Sequence, residues 1–432
     1  MRKSVYMSCL IIIMLALAAG CIDDGSENKE DDAAVSGKWT GSIDIPNQQL
    51  DIIVNLNNDD EWSGTISIPV QGLENYPLSS VTVDGSDVAF FMEIQGQQIS
   101  FDGALKDDVI EGDFSQYGQS FPFKLTKGGP VDEDDGNFAS VETGEGILYG
   151  EVEKPDREGP FPVMLIIPGS GPTDRNGNSN AIKGENNSLK LLAEGLAEYG
   201  IASVRYDKRG VGKNLEAAIP ENELKFDQFV DDAVAWTELL EQEEAYSKIG
   251  IIGHSQGSLV GMPAAQEGHA DIFISLAGAG HSIDQVLYEQ LEAQLSGDLL
   301  QEAENILEKL KQGEAVQDVS QELQSVFRPS VQRFLASWIQ YDPGNEMAQL
   351  EVPALIAGGG RDFQVPVSEA ERLHEAQPNA DRLIFDNMNH VLKEAPADEE
   401  GNMATYSDPE LPLADGLMEG MMDFLKENDF LE

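Results

Sequence analysis

Two patterns of apolar and polar positions divide this chain. Between residues 37 and 127 apolar side chains fall at every second position in short runs: Ile43 and Ile45; Ile52, Val54 and Leu56; Ile66, Ile68 and Val70; Ile99 and Phe101; Phe121, Phe123 and Leu125. A period of two, broken by turn residues about every 8–12 positions, predicts an antiparallel sheet closed as a barrel or folded as a sandwich. The run Trp39–Pro46 recurs as Trp62–Pro69, a strand motif used twice in a meander. Such a barrel could enclose a ligand, but a packing module with a filled interior is the simpler reading. No His or Cys lies between 37 and 127, and the acidic residues there show no metal-ligand spacing, so no chemistry is assigned to the unit.

From about residue 141 the pattern changes. Continuous apolar runs (Val163–Ile167, Ala202–Tyr206, Ile249–Ile252, Ile272–Ala277, Pro353–Ala357, Arg382–Phe385) alternate with segments of helical period such as Ser188–Tyr199 and Phe226–Gln242. Strands without alternation are buried on both faces, which predicts a mostly parallel sheet flanked by helices, an α/β domain. Between the fourth and fifth runs lies a long insertion, about 282–345, with helical period over Gln285–Leu295, Leu299–Lys311 and Val331–Ile339. At the carboxyl end of a strand, an insertion of that length is expected to form a lid over a site.

The remainder is punctuation. Residues 21–36 and 128–140 are acidic and without apolar period, and read as a tether and a linker around an all-β domain at 37–127, with the α/β domain filling 141–432. The opening, Arg2-Lys3, then Leu10–Leu17, then Ala18-Ala19-Gly20-Cys21, resembles a lipoprotein signal. That resemblance implies removal of residues 1–20, a lipid on Cys21, and an extracytoplasmic protein held to the membrane by its anchor. An ordinary signal peptide and an uncleaved anchor are the alternatives. Cys9 and Cys21 are the only cysteines, so the processed chain has no internal disulfide and depends on its core.

Charge narrows the partners. Against 27 Lys+Arg stand 78 Asp+Glu, a formal charge of −51, while 41% of the 432 residues are hydrophobic. Such a field repels phosphate backbones, excluding nucleic acid, and disfavours acidic membrane surfaces, leaving the lipid at Cys21 as the membrane contact. The excess is spread along the chain, as in the acidic proteome of cells that work at high ionic strength, where screening removes self-repulsion.

Gly253-His254-Ser255-Gln256-Gly257 is a G-x-S-x-G pattern between the end of an apolar β run and a helix-compatible one. That context suits a nucleophile elbow, with Ser255 as nucleophile. A serine hydroxyl needs a base, and the chain has five histidines: His254, His269, His281, His374 and His390. His390 follows the last strand run, where a base belongs in such folds; His281 is its rival. Asp362, in Gly358-Gly359-Gly360-Arg361-Asp362 just after a strand run, is the candidate carboxylate to orient the base. The oxyanion would be held by the backbone N–H of Gln256 and that of Ser170, in the loop Pro168-Gly169-Ser170-Gly171-Pro172, whose glycines could equally be turn formers.

With these residues in place, 141–432 resembles the α/β-hydrolase superfamily. Pro168–Gly177, the run Arg205-Tyr206-Asp207-Lys208-Arg209-Gly210-Val211-Gly212, and Tyr341-Asp342-Pro343 ahead of Gly360–Val365 resemble a group of prokaryotic carboxylesterases often labelled serine aminopeptidase-like hydrolases. The resemblance implies hydrolysis of short-chain acyl esters through an acyl-enzyme, with a small-molecule ester as substrate and no metal or organic cofactor. Asp174, Arg175, Asp207 and Arg209 are read as loop-holding ion pairs. An exo-peptidase or thioesterase would use the same machinery, the peptidase with an acidic anchor for the substrate amine in the insertion. The reading from another class is a non-catalytic binding lipoprotein whose β unit captures a ligand.

Overall fold

The computed structural model describes residues 35–45, 48–58, 61–68, 73–94, 97–116, 118–127, 137–179 and 184–431. The expected signal, Cys21 and nearly all of the tether lie outside the described residues, as does most of the expected linker. No helix among the described residues is long and apolar enough to cross a membrane. The described residues fall into two compact units, 35–127 and nearly all of 137–431.

The first unit is one nine-stranded antiparallel sheet in the order β4-β3-β2-β1-β9-β8-β7-β6-β5. Its strands are β1 (Gly37–Ile45), β2 (Gln48–Asn58), β3 (Trp62–Ile68), β4 (Leu73–Pro77), β5 (Ser80–Asp84), β6 (Asp87–Ile94), β7 (Gln97–Lys106), β8 (Val109–Gln116) and β9 (Gln119–Lys127). The sheet is a half-barrel rather than a two-sheet sandwich, and its edge strands β4 and β5 are successive in the chain. Alternation puts Ile52, Val54 and Leu56 of β2 and Phe90 and Met92 of β6 on the inner face. Phe101 fills the middle, with Phe90 stacked at 4.7 Å and Phe114 and Phe123 at 5.1 and 5.3 Å between ring centroids. The interior is therefore occupied by its own side chains. Of the repeated motif, Ile43 and Ile66 are both buried, whereas Trp39 is buried and Trp62 is half-buried against the same core.

The second unit is an eight-stranded mixed sheet in the order β10-β11-β13-β12-β14-β15-β16-β17. β10 (Phe138–Thr143) and β11 (Gly146–Glu153) form an antiparallel hairpin, and β11 pairs antiparallel with β13 (Ala202–Tyr206). Every later pairing, through β12 (Phe161–Ile167), β14 (Tyr246–His254), β15 (Ile272–Leu276), β16 (Ala354–Gly359) and β17 (Asp381–Phe385), is parallel. Successive residues of β12 feed opposite faces. Val163, Leu165 and Ile167 pack with Trp236 and Leu240 of the helix Asp227–Gln242, while Met164 and Ile166 pack with Leu192 and Leu196 of the helix Ser188–Glu198. The six apolar runs are the six parallel-paired strands; β12, β13, β15 and β16 are buried throughout and β14 over Ile249–His254, as their composition requires, whereas the edge strand β17 is exposed or half-buried along its length.

Two expectations are corrected. β10 begins at Phe138, inside the stretch read as linker, and the β10–β11 hairpin adds two strands to the six expected; only Val141, Leu148, Gly150 and Val152 of it are buried, the rest being half-buried or exposed. The insertion is helical, over Ile283–Glu292, Asp298–Lys311 and Gln332–Trp338, but it does not line the cavity beside Ser255, as described next.

Candidate active site

The sheet order reverses around β12, so the loops leaving β12, β13 and β14 converge at one edge, the position where open α/β sheets build sites. Ser255 stands between β14 and the helix Gln256–Glu267, with φ 53° and ψ −120°. A non-glycine residue in that region is strained by about 1–3 kcal/mol and persists only where its surroundings dictate it. Here the turn is forced by close approach. A Cβ on Gly253 would lie 2.2 Å from the Gly257 carbonyl oxygen, and one on Gly257 would lie 2.3 Å from the Ile167 oxygen. Both flanking positions of the pattern must therefore be glycine, and the Ser255 N–H is tied to the Leu276 carbonyl of β15 at 2.9 Å.

Three side chains from distant loops form one hydrogen-bonded chain. His390 Nε2 lies 3.1 Å from Ser255 Oγ, and His390 Nδ1 lies 2.8 Å from Asp362 Oδ2. The other oxygen of Asp362 accepts the backbone N–H groups of Gln364 and Val365, both at 2.8 Å, so the carboxylate is fixed before it meets the ring. Both Asp362 and His390 are buried.

A second set of residues, which the sequence pattern did not single out, clamps these loops. Asn389 is fully buried and donates to Thr405 Oγ1 at 2.7 Å and to Asn402 Oδ1 at 3.2 Å, and Asn402 in turn donates to the Arg361 carbonyl at 2.8 Å. The loops carrying Asp362 and His390 are thus joined through one buried amide network, whose members are costly to leave unpaired. His254, which lies inside the G-x-S-x-G pattern, also belongs to the site. Its Nε2 lies 2.7 Å from the His390 carbonyl oxygen, with the ring centroids 5.0 Å apart. Nε2 must carry the proton to donate to that carbonyl.

Burial, reinforced by neighbouring His390, pushes the His254 imidazole down to about 4. The folded protein therefore holds it neutral, while the unfolded chain takes up a proton near the ordinary value of about 6.5. Stability contributed by this group is full above about pH 6.5 and is lost as pH falls toward 4. The urea midpoint of wild type is expected to drop more steeply between pH 6.5 and 4.5 than that of His254→Gln, whose amide still donates to the His390 carbonyl. Parallel slopes would show that His254 is not held neutral.

Beside Ser255 lies a cavity of about 260 Å³ lined by Gly169, Ser170, Thr173, Asn186, Gln364 and Tyr406, among others, together with His254 and His390. No carboxylate and no residue of 282–345 is among the described residues that line it. Gln364 Nε2 donates to the Tyr406 hydroxyl at 2.9 Å, and burial pushes that phenol up to about 12. The cavity walls come instead from the loop after β12 and from the segment around Tyr406. Gln256 opens its helix, so its N–H has no acceptor within that helix. Ser170 lies on the facing loop, where a Cβ on Gly169 would sit 3.3 Å from Ser255 Cβ.

The loop-holding ion pairs are present, with one correction. Arg175 bridges Asp207 at 2.8 Å and Glu151 at 2.6 Å, and Arg209 pairs with Asp232 of the helix Asp227–Gln242. Asp174 makes no ion pair among the described residues. It accepts the N–H groups of Asn176 and Asn178 and organises a turn, and burial raises its carboxyl. Gly212, at φ 49°, is required because a Cβ there would meet Asp207 Oδ2 at 2.5 Å. His281, the rival base, is engaged elsewhere: its Nδ1 lies 2.8 Å from Glu369, and it lines a separate cavity with Asp284, Tyr288 and Arg372. No group of His, Cys, Asp and Glu suited to a metal ion occurs among the described residues.

Residues 185–394 match the family model described as serine aminopeptidase, S33. Esterase EstD of Thermotoga maritima is 28% identical over 251 residues, covering 57% of this chain and 58% of that protein. The chain thus spans less than two thirds of that curated relative's length. Among solved structures, Est1E from Butyrivibrio proteoclasticus aligns at 17% identity over 67% of this chain and 99% of its own, with a TM-score of 0.45. A thermophilic esterase from Thermogutta terrifontis aligns at 17% identity over 67% and 98%, with a TM-score of 0.41.

Proposed function

We propose that this chain, whose second unit has the α/β-hydrolase fold, is a serine esterase that cleaves small carboxylic esters through an acyl-enzyme. The observation that carries the reading is the chain Ser255–His390–Asp362 at a strained turn beside a small cavity. His390 Nε2 takes the Ser255 proton as Oγ bonds to the ester carbonyl carbon. Asp362 holds the ring so that Nδ1 keeps its hydrogen, and it stabilises the imidazolium that forms. The Ser170 and Gln256 N–H groups receive the negative charge on the carbonyl oxygen. His390 then passes its proton to the alkoxide as the C–O bond breaks, and the same steps with water release the acid. A cavity of about 260 Å³, below the range typical of drug-sized ligands, suits a short acyl group.

An aminopeptidase must counter the charge of its substrate's amine. The absence of a carboxylate among the described lining residues therefore favours an ester over an N-terminal peptide. The signal-like opening and Cys21 support an extracytoplasmic, lipid-anchored location, and the acidic surface supports work at high ionic strength. A panel of p-nitrophenyl acetate, butyrate and octanoate, aminoacyl amides and acyl-CoA thioesters tests the assignment. Acetate and butyrate are expected to give the highest kcat/KM, with octanoate at least about tenfold lower, since forcing extra methylenes into a space already filled costs about 1–3 kcal/mol. Preference for the amides or the thioesters would overturn the esterase reading.

A further inference from the structure

Lys208 is a buried cation that the mechanism above does not use. It leaves β13 at the same sheet edge as Ser255 and is only 8% exposed. Its Nζ donates to Gln256 Oε1 at 2.6 Å and to the Gly169 carbonyl oxygen at 3.1 Å, and it sits 4.2 Å from the centre of the Phe229 ring. The two residues it reaches are not arbitrary. The Gly169 carbonyl belongs to the same peptide unit as the Ser170 N–H, and Gln256 carries the other oxyanion donor on its own backbone.

We infer that Lys208 is a positioning residue for the oxyanion hole, its ammonium fixing and polarising the peptide that presents the Ser170 N–H while it anchors the residue that presents the Gln256 N–H. This inference rests on the esterase reading. Three physical points support it. A peptide whose carbonyl accepts a hydrogen bond has its dipole strengthened, which makes its N–H a better donor. The plane of that peptide also has less freedom to turn, so less reorganisation is left for the moment when the oxyanion forms. The space left beside Lys208, among Ile167, Phe229, Asp232 and Val260, amounts to only about 10 Å³, about what one water needs, so the ammonium is held away from bulk solvent. Burial pushes Lys208 down to about 7, with Asp232 opposing that shift. Both the ammonium and the amine carry the N–H groups that the two contacts require.

The test uses the full chain, p-nitrophenyl acetate and a boronic acid that mimics the tetrahedral state, with Ser255→Ala as the blank. Lys208→Met fills the same volume without a donor. It is expected to lower kcat by about 10–100-fold and weaken the boronic acid by a similar factor, with KM changing less than about threefold. Gln256→Leu keeps the backbone N–H but removes one acceptor, and should show the same signature at smaller size. The double variant should be no worse than Lys208→Met alone, because the contact that Gln256→Leu removes is already lost in Lys208→Met. Wild-type kcat and boronic acid affinity in Lys208→Met would overturn the proposal, as would a loss confined to KM. If Lys208→Met does not fold, unchanged kcat in Gln256→Leu overturns it instead. Absence of Ser255-dependent turnover in the wild type would instead defeat the esterase reading itself.

Discussion

Ser255→Ala is expected to lose ester hydrolysis by about 10⁴–10⁶-fold in kcat while remaining folded. The size follows from what is removed. Without Oγ there is no atom for the acyl group to bond to, and His390 can only activate water that nothing positions. What survives is binding and oxyanion stabilisation, which keep a residual rate above that in water. Folding should change little. Alanine meets the same backbone strain at φ 53°, the glycine contacts on either side are untouched, and the hydrogen bond to His390 contributes about 1 kcal/mol at most. Initial rates with p-nitrophenyl acetate, beside covalent labelling by a fluorophosphonate probe, check both halves. The wild type should carry the label on the peptide containing Ser255, and the variant should carry none. More than a tenth of the wild-type rate in a folded, unlabelled variant would remove Ser255 from the role of nucleophile.

Much of the second unit could be read from the chain because the central strands of its sheet, β12 to β16, are buried on both faces. Six apolar runs named six strands, and each candidate site residue then stood just beyond one of them, which is where a parallel sheet collects its loops. The features that escaped had no such marker. The β10–β11 hairpin is half-exposed and short, so its alternation is weak against the linker composition beside it. Asn389 lies on an irregular loop, and Asn402 and Thr405 on helical turns too short to show a period, and a buried amide network has no linear signature. Lys208 sat inside a run read for its ion pairs, and only coordinates show that it faces Gln256 and Gly169 rather than a carboxylate. The length of the 282–345 insertion announced helices but not their direction, so the expected lid was placed over a cavity whose described walls come from elsewhere. In the first unit, period two identified the antiparallel sheet, but a half-barrel and a sandwich share that period, and curvature separates them only in three dimensions.

Asp362→Asn should be the next most damaging change, about 10⁴-fold in kcat/KM, although it alters one atom and almost no volume. The reason lies in how the carboxylate is held. Oδ1 of Asp362 accepts two backbone N–H groups, from Gln364 and Val365, and Oδ2 faces His390 Nδ1. An asparagine in the same place must keep its carbonyl oxygen toward the two N–H donors, since turning it would set four hydrogens against one another. Its amide nitrogen then points at Nδ1 and donates, which forces Nδ1 to be the acceptor and moves the imidazole proton to Nε2. That nitrogen is the one 3.1 Å from Ser255 Oγ, and once protonated it cannot take the hydroxyl proton. The imidazolium needed later also loses its counter-charge in a buried site. Because every hydrogen bond has a neutral replacement, the melting temperature should move by only a few degrees. The tautomer can be read directly, since the ¹⁵N shifts of His390 distinguish a protonated Nε2 from a protonated Nδ1. A folded Asp362→Asn variant with near wild-type kcat/KM, or with Nδ1 still carrying the proton, would show that His390 is oriented by something other than Asp362.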